Sequence, residues 1–144
     1  APVGGVYQAG TLSGNPIAMR MGLNVLSYLE SNNSVYEHLE TMAKLLEDGF
    51  NYNLQKLHIK DVSVKRVGGM ICQFFAEGPI DSYEQVMMAD TTLYAQYFNA
   101  MLEQGILLPP AQYECMFLSE AHTETHILTT IECHYNAMAK ILKS

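Results

Sequence analysis

The hydrophobic period of the chain changes near residue 60, and this change limits the folds open to it. Upstream, apolar residues recur every three or four positions from Val35 to Leu57, which predicts an amphipathic helix of about six turns. Downstream, "VSVKRV" and "MICQFF" alternate between apolar and polar residues around Gly68 and Gly69, which predicts two strands joined by a tight turn. A long amphipathic helix followed by a hairpin predicts helices layered on a sheet.

The second half of the sequence predicts two more helices and two more short strands. A helical period runs over residues 83–104 and ends at Gly105, and Thr123 can cap a last helix. Between them, "ILL" and the stretch near Met116 to Ser119 predict strands on either side of a double proline, which cannot continue a sheet ladder. The predicted fold class is α+β, a small mostly antiparallel sheet with helices on one face.

A first helix, beginning at Pro16, differs from the others because apolar residues lie nearly all round it. Such a helix needs cover on several sides, so we expect further protein against it. The predicted boundary falls near residues 31–33, which divides the chain into residues 1–32 and an α+β unit of residues 33–144.

A loop of small and hydroxyl residues leads into this helix. Gly10 and Gly14 permit close backbone approach or positive φ, while Thr11 and Ser13 carry hydroxyls and Asn15 precedes Pro16. Two interpretations stay open on pattern alone, a helix-capping turn and an anion cradle at a helix start. The loop is not a P-loop, since no "GKS" or "GKT" follows.

The composition limits the classes of partner that the chain can bind. The formal charge is −7 with two arginines, which leaves no basic stripe for a nucleic acid. No apolar run is long enough to span a bilayer, and the N-terminal residues lack the pattern of a signal peptide. We expect a soluble, cytoplasmic protein without a nucleic-acid or membrane partner.

Few residues carry an evident catalytic or metal-binding signal. The three cysteines are widely spaced without a C-x-x-C pair, so we expect reduced thiols and neither a disulfide framework nor a zinc site. His122 and His126 are four apart, but no third metal ligand is signalled. No lysine has the setting of a buried reactive amine. Glu114 is the carboxylate that stands out, because its neighbours are aromatic and apolar; an ordinary exposed loop acid is the alternative.

Two separated blocks resemble one enzyme family. "VYQAGTLSGNPIAM" is similar to the segment that follows the cofactor lysine in the glutamate-1-semialdehyde 2,1-aminomutase family, pyridoxal-phosphate enzymes of the class III aminotransferase group with fold type I. "YFNAMLEQGILLPPAQYECMFLSEAHTETHI" resembles the C-terminal region of the same family. The resemblance implies the last third of such an enzyme, with residues 1–32 the end of its large cofactor domain and 33–144 its small C-terminal domain.

The resemblance also implies roles for individual residues. Gly10 and Thr11 match positions that contact the phosphate of pyridoxal 5'-phosphate on the neighbouring subunit of a homodimer, and Ser13, Gly14 and Asn15 would shape that loop. Glu114 matches a glutamate of the active-site region that helps to position the substrate or a gating loop. The lysine that forms the Schiff base would lie upstream, so the resemblance implies no catalytic residue in this chain, no metal, and no activity of this portion alone.

The reaction implied by the resemblance is an isomerisation of glutamate 1-semialdehyde to 5-aminolevulinate for porphyrin and other tetrapyrrole synthesis, with the cofactor passing through its pyridoxamine phosphate form. Two alternatives stay open: another class III ω-aminotransferase, whose loop more often reads "TFGGNP", and a stand-alone α+β phosphate-binding or assembly module. Departures from the family pattern include Arg20 for a small residue, and Cys115 and Met116 for a small pair after Glu114.

Overall fold

The computed structural model describes residues 4–5 and 10–142, so residues 6–9 of the first motif block lie outside the described part. The chain divides into two units, Ala1–Val35 and Tyr36–Ser144. The first unit contains helix α1 (Pro16–Ser31), which confirms the predicted helix after Pro16. None of the side chains of α1 is buried, and Ile17 and Leu26 are 75% and 67% exposed. The apolar surface that the sequence predicts for this helix is therefore present.

The remaining elements follow in the order helix, hairpin, two helices, short strand, helix. Their bounds are α2 (Ser34–Lys56), β1 (Ser63–Val67), β2 (Met70–Phe74), α3 (Tyr83–Met87), α4 (Thr91–Leu102), β3 (Met116–Phe117) and α5 (Glu124–Ile141). The predicted long helix, hairpin and final helix are confirmed. Gly68 has a φ of +56° in the turn between β1 and β2, a conformation that glycine adopts without strain.

The three strands form one antiparallel sheet in the order β1-β2-β3. β1 and β2 pair fully from Ser63 opposite Phe74 to Val67 opposite Met70. Ile71 on β2 is fully buried and packs with residues of α2 and α5, while alternate residues point to the other face of the sheet. This arrangement confirms the α+β fold with a small antiparallel sheet.

The single helix predicted over residues 83–104 is wrong, because the chain breaks it into α3 and α4. Asp90 lies at the break and caps α4, its Oδ1 accepting from the N–H of Leu93 at 2.9 Å. The N–H of Asp90 donates to the carbonyl of Phe75 at 2.9 Å. A cap and a tertiary hydrogen bond at one residue outweigh the continuation of the helical period.

The strand predicted at "ILL" is also wrong. Gly105 has a φ of +83°, and the N–H of Ile106 bonds back to the carbonyl of Met101 at 3.0 Å, so this segment closes the end of α4 instead of pairing with the sheet. Of the second predicted strand, Met116 and Phe117 pair with β2. The sheet among the described residues therefore has three strands instead of four.

A buried polar cluster connects β2 with two helices inside the core. The imidazole of His134 is fully buried, bonds to Oε1 of Gln73 at 2.8 Å and to Nδ2 of Asn53 at 3.1 Å, and stacks on Phe50 at 4.0 Å between ring centroids. Each of these polar groups has a hydrogen-bond partner, which lowers the free-energy cost of burying it.

Across the described residues, none of the helices has the length and apolar character needed to cross a membrane.

Candidate functional site

The loop before α1 closes through two backbone hydrogen bonds. The N–H of Ser13 donates to the carbonyl of Gly10 at 3.0 Å, and the N–H of Asn15 donates to the carbonyl of Leu12 at 3.0 Å. Gly14 has a φ of +76°, a conformation that costs a residue with a Cβ about 1–2 kcal/mol. The glycine at this position is therefore required by the turn itself.

Asn15 ends the loop as the N-cap of α1. Its side-chain oxygen accepts from the N–H groups of Ile17 and Ala18 at 3.0 and 3.2 Å. These are the amides that an anion at the start of a helix would otherwise use. The capping interpretation thus describes Asn15, and an anion at this loop would have to bind on the Gly10–Thr11 side.

Thr11 presents the donors that such an anion needs. Its side chain is exposed, and within residues 10–142 it uses neither its N–H nor its hydroxyl in a hydrogen bond. The first turn of α1 holds no acidic residue. A Cβ added at Gly10 would meet Oγ of Ser13 at 2.6 Å, so the loop is drawn in tightly beside Thr11. Neutral amides, a free hydroxyl and a nearby helix N-terminus fit a phosphate group.

Glu114 lies in the second unit, on the loop that follows the double proline. The hydroxyl of Tyr94 donates to the carbonyl of Pro109 at 2.6 Å and holds the start of this loop to α4. The N–H of Glu114 closes a turn onto the carbonyl of Ala111 at 3.1 Å, and the Glu114 side chain is exposed. The carboxylate is thus an exposed loop acid within this chain.

The environment of Tyr94 shows that the Glu114 charge lies close to this hydroxyl. The pKa of Tyr94 is raised to about 12, first by burial and then by the negative charge of Glu114. Tyr94 therefore remains a hydrogen-bond donor to Pro109 over the whole physiological pH range. On the same loop Gln112 is buried, and in the described part of the chain its side-chain oxygen and nitrogen have no partner.

The sequence did not indicate that two of the cysteines meet. Sγ of Cys72 on β2 lies 2.8 Å from Sγ of Cys115, the residue after Glu114. Both thiols line a cavity of about 400 Å³ on the face of the sheet that carries Lys65 and Met70. The β2–β3 register brings the two cysteines together. The spacing of the cysteines along the chain does not reveal this register.

His122, His126 and Lys65 are engaged in local contacts. His122 and His126 accept through Nδ1 from the N–H groups of Ser119 and Thr123 at 3.0 and 3.2 Å, and so serve as local caps. Lys65 forms an ion pair with Asp81 at 2.7 Å. Over residues 4–5 and 10–142, no three His, Cys, Asp or Glu side chains come close enough together to hold a metal ion. The loop at Gly10–Asn15 and Glu114 belong to different units.

The fold is shared with parts of two longer solved structures. It is similar to an omega-transaminase from Sphaerobacter thermophilus, with a TM-score of 0.75 at 17% identity over 95% of this chain and 31% of that chain. It is also similar to a glutamate-1-semialdehyde-aminomutase variant from Pseudomonas aeruginosa PAO1 in complex with PMP, with a TM-score of 0.68 at 18% identity over 75% of this chain and 24% of that chain. At these identities the likeness establishes the fold alone.

Sequence comparison identifies the particular family. The chain is 52% identical over 141 residues to the glutamate-1-semialdehyde 2,1-aminomutase of Clostridium novyi (strain NT), which covers 98% of this chain and 32% of that protein. It is 47% identical over 143 residues to the enzyme of the same name from Chlorobaculum tepidum, covering 99% of this chain and 33% of the relative. No protein-family model matches the chain. The predicted resemblance to this aminomutase family is thus confirmed, and the chain spans about a third of the length of these relatives.

Proposed function

We propose that this chain is the C-terminal portion of a pyridoxal-phosphate-dependent glutamate-1-semialdehyde 2,1-aminomutase. The observation that carries the proposal is the identity of 52% across nearly the whole chain to a relative of that name, about three times longer. An enzyme of this kind would isomerise glutamate 1-semialdehyde to 5-aminolevulinate for tetrapyrrole synthesis, in the cytoplasm. Pyridoxal phosphate, when bound, supplies the electron sink that such an amino-group transfer needs.

In this proposal the loop before α1 holds the cofactor phosphate. The N–H of Gly10 and the N–H and hydroxyl of Thr11 would donate to phosphate oxygens, in hydrogen bonds that are strong because the acceptor is charged. Ser13, Gly14 and Asn15 keep the loop closed and fix its junction with α1. The support for this assignment is that Asn15 already accepts from the N–H groups of Ile17 and Ala18, whereas Thr11 makes no hydrogen bond within residues 10–142.

Glu114 is proposed to act on the substrate side of the site. Its exposed carboxylate can accept hydrogen bonds from a substrate group or a mobile loop, while the Tyr94–Pro109 hydrogen bond fixes the base of the loop that carries it. Because a fixed carboxylate loses little freedom on binding, this arrangement suits a positioning role.

The partners proposed are the upstream two thirds of the same enzyme and a second subunit. The exposed apolar residues of α1 support the upstream part as a partner, because such a helix gains stability when another surface covers it. The residues that are more than half exposed include Ile17, Met19, Leu23 and Leu26. With the second subunit, the chain would form a homodimer in which the Gly10–Thr11 loop reaches the cofactor of the neighbouring subunit.

The test is an assay of the full-length enzyme with glutamate 1-semialdehyde and no added amino donor or keto acid. We expect 5-aminolevulinate to form, because a mutase gives the product an amino group and takes an amino group from the substrate, so it needs no other donor or acceptor. An ω-transaminase, which the structural likeness alone would also allow, requires both a donor and an acceptor. Product that appears only when an amino donor or keto acid is added would overturn the mutase proposal in favour of a transaminase.

A further inference from the structure

Cys72 lies on β2, and Cys115 directly precedes β3, the strand that pairs with β2. Met70 pairs with Phe117 and Ile71 with Met116, and the next position of this register places Cys72 against Cys115. Residues that oppose each other in this way have Cβ atoms close enough for a direct side-chain contact. The Cys72 thiol donates to the sulfur of Cys115 across 2.8 Å, whereas the bond in a disulfide measures about 2.05 Å.

The surroundings of the pair allow a small reagent to reach it. Both cysteines are partly exposed, and both line the cavity of about 400 Å³ on the sheet face away from the core. Lys65 and Tyr83 also line this cavity, so its wall includes polar groups. Cys133 provides the contrast, because it is buried in the hydrophobic core with Tyr97 and Met138.

The two thiols are not equivalent. The pKa of Cys72 is raised to about 12, mostly by burial and in smaller part by the hydrogen bond to Cys115 and the charge of Cys115. Cys72 therefore keeps its proton and acts as the donor of the pair. The Cys115 sulfur accepts this hydrogen bond, so we expect oxidation by peroxide to start at Cys115.

We propose that Cys72 and Cys115 form a reversible thiol–disulfide site, oxidised by peroxide, that ties the loop carrying Glu114 to strand β2. In the first step the sulfur of Cys115 attacks one peroxide oxygen, the O–O bond breaks, and a sulfenic acid and one water form. In the second step the sulfur of Cys72 attacks the Cys115 sulfur, the S–O bond breaks, and the hydroxide leaves with the Cys72 proton as a second water. Two thiols and one peroxide thus give one disulfide and two waters, and a dithiol reverses the reaction by exchange.

The geometry limits the consequence of this cross-link to one loop. Cys72 and Cys115 are 43 positions apart in sequence, and Cys115 directly follows Glu114. A bond between them fixes the distal end of the loop, whose start the Tyr94–Pro109 hydrogen bond already holds. Oxidation therefore restrains Glu114 at both ends of its loop. This proposal rests on the thiol pair alone and holds whatever reaction the enzyme catalyses.

The experiment is peptide mapping of the full-length protein after brief treatment with hydrogen peroxide under native conditions. Remaining thiols are alkylated, and the protein is cut with a glutamate-specific protease. Cleavage after Glu77, Glu114 and Glu132 separates the three cysteines of this chain, whereas a Lys/Arg-specific protease leaves residues 67–140 in one piece. We expect a linked Cys72–Cys115 peptide about 2 Da lighter than the sum of its two reduced halves, lost on treatment with dithiothreitol.

Two controls sharpen the result. Mixing isotope-labelled and unlabelled protein before oxidation should give linked peptides of a single isotope, because the bond forms within one chain. Cys133→Ser should leave the linked peptide unchanged, whereas Cys115→Ala should abolish it. The wild-type measurement needs no variant to fold. The proposal fails if both Cys72 and Cys115 are recovered alkylated, if either is recovered only as sulfinic or sulfonic acid, if the link contains Cys133, or if it joins two chains.

Discussion

Protonation of His134 should destabilise the fold as the pH falls. Burial lowers the pKa of this imidazole from its ordinary 6.5 to about 3, so the folded protein keeps it neutral at pH values where the unfolded chain protonates it. The two hydrogen bonds to Gln73 and Asn53 and the stack on Phe50 enclose the ring and admit no water to solvate a charge.

The magnitude follows from the two pKa values. Below about pH 6.5 the unfolded state binds one more proton than the folded state, so the free energy of unfolding falls as the pH falls. Between about pH 8 and pH 5 the loss amounts to about 2 kcal/mol, and it continues until the pH reaches the folded-state pKa near 3. The stabilisation from a neutral His134 is thus fully present above the unfolded pKa and is lost between the two values.

Urea unfolding followed by circular dichroism at a series of pH values measures this loss. His134→Gln keeps a polar side chain that can bond to Gln73 but does not titrate, so its unfolding free energy should lack about 2 kcal/mol of the pH dependence seen in the wild type over the same range. His58→Asn is the matched control. It removes an exposed imidazole at a position with a φ of +58°, which asparagine tolerates, and should retain the drop that depends on His134.

An equal loss of stability in the wild type and His134→Gln between about pH 8 and pH 5 would contradict a buried, neutral His134. Should His134→Gln fail to fold, an NMR titration of the wild-type imidazole decides the matter. A His134 resonance that titrates near its ordinary pKa of 6.5 would show that the buried ring accepts a proton at little cost.

Three further substitutions test other parts of the structure. Gly49→Ala should destabilise the protein by roughly 1 kcal/mol despite the better helix propensity of alanine, because its Cβ would lie 2.6 Å from Cγ1 of Ile131; adding Ile131→Val should recover part of the loss in urea unfolding. Thr11→Val in the full-length enzyme should weaken retention of pyridoxal phosphate by roughly 1.5 to 3 kcal/mol, measured by equilibrium dialysis, while Thr11→Ser should retain it; equal affinity in all three proteins would contradict the phosphate contact. Arg66→Met should lower stability by about 1 kcal/mol, because the guanidinium bonds Glu40 and Glu47 at 2.8 Å each, and high salt should shrink the difference.

Local sequence patterns determined most of the secondary structure. The period of three to four residues in α2 and α5 and the alternation on either side of Gly68 and Gly69 reflect which face of each element is buried, so they can be read without knowledge of the partner. The loop before α1 was predicted for the same reason, since its glycines and its Asn15 cap act within a few residues of one another.

The errors arose where a distant contact overruled a local pattern. The helical period of residues 83–104 continues through Asp90, but its N–H bonds to Phe75 from the end of β2 and splits the helix. Gly49 lies within α2, where a glycine weakens a helix by about 1 kcal/mol, and the structure explains its presence, because Ile131 of α5 occupies the space that a side chain would need. Neither partner can be found from the residues adjacent in sequence.

The sequence by itself determined the resemblance to the aminomutase family, the α+β class, the Gly10–Asn15 loop and the position of Glu114 in a proline-bounded loop, because these depend on residue identity and short-range periodicity. Tertiary structure decided that His134 is buried and neutral and that Cys72 meets Cys115. The physical reason is strand register and packing, which bring together residues dozens of positions apart and set the solvation of each titratable group.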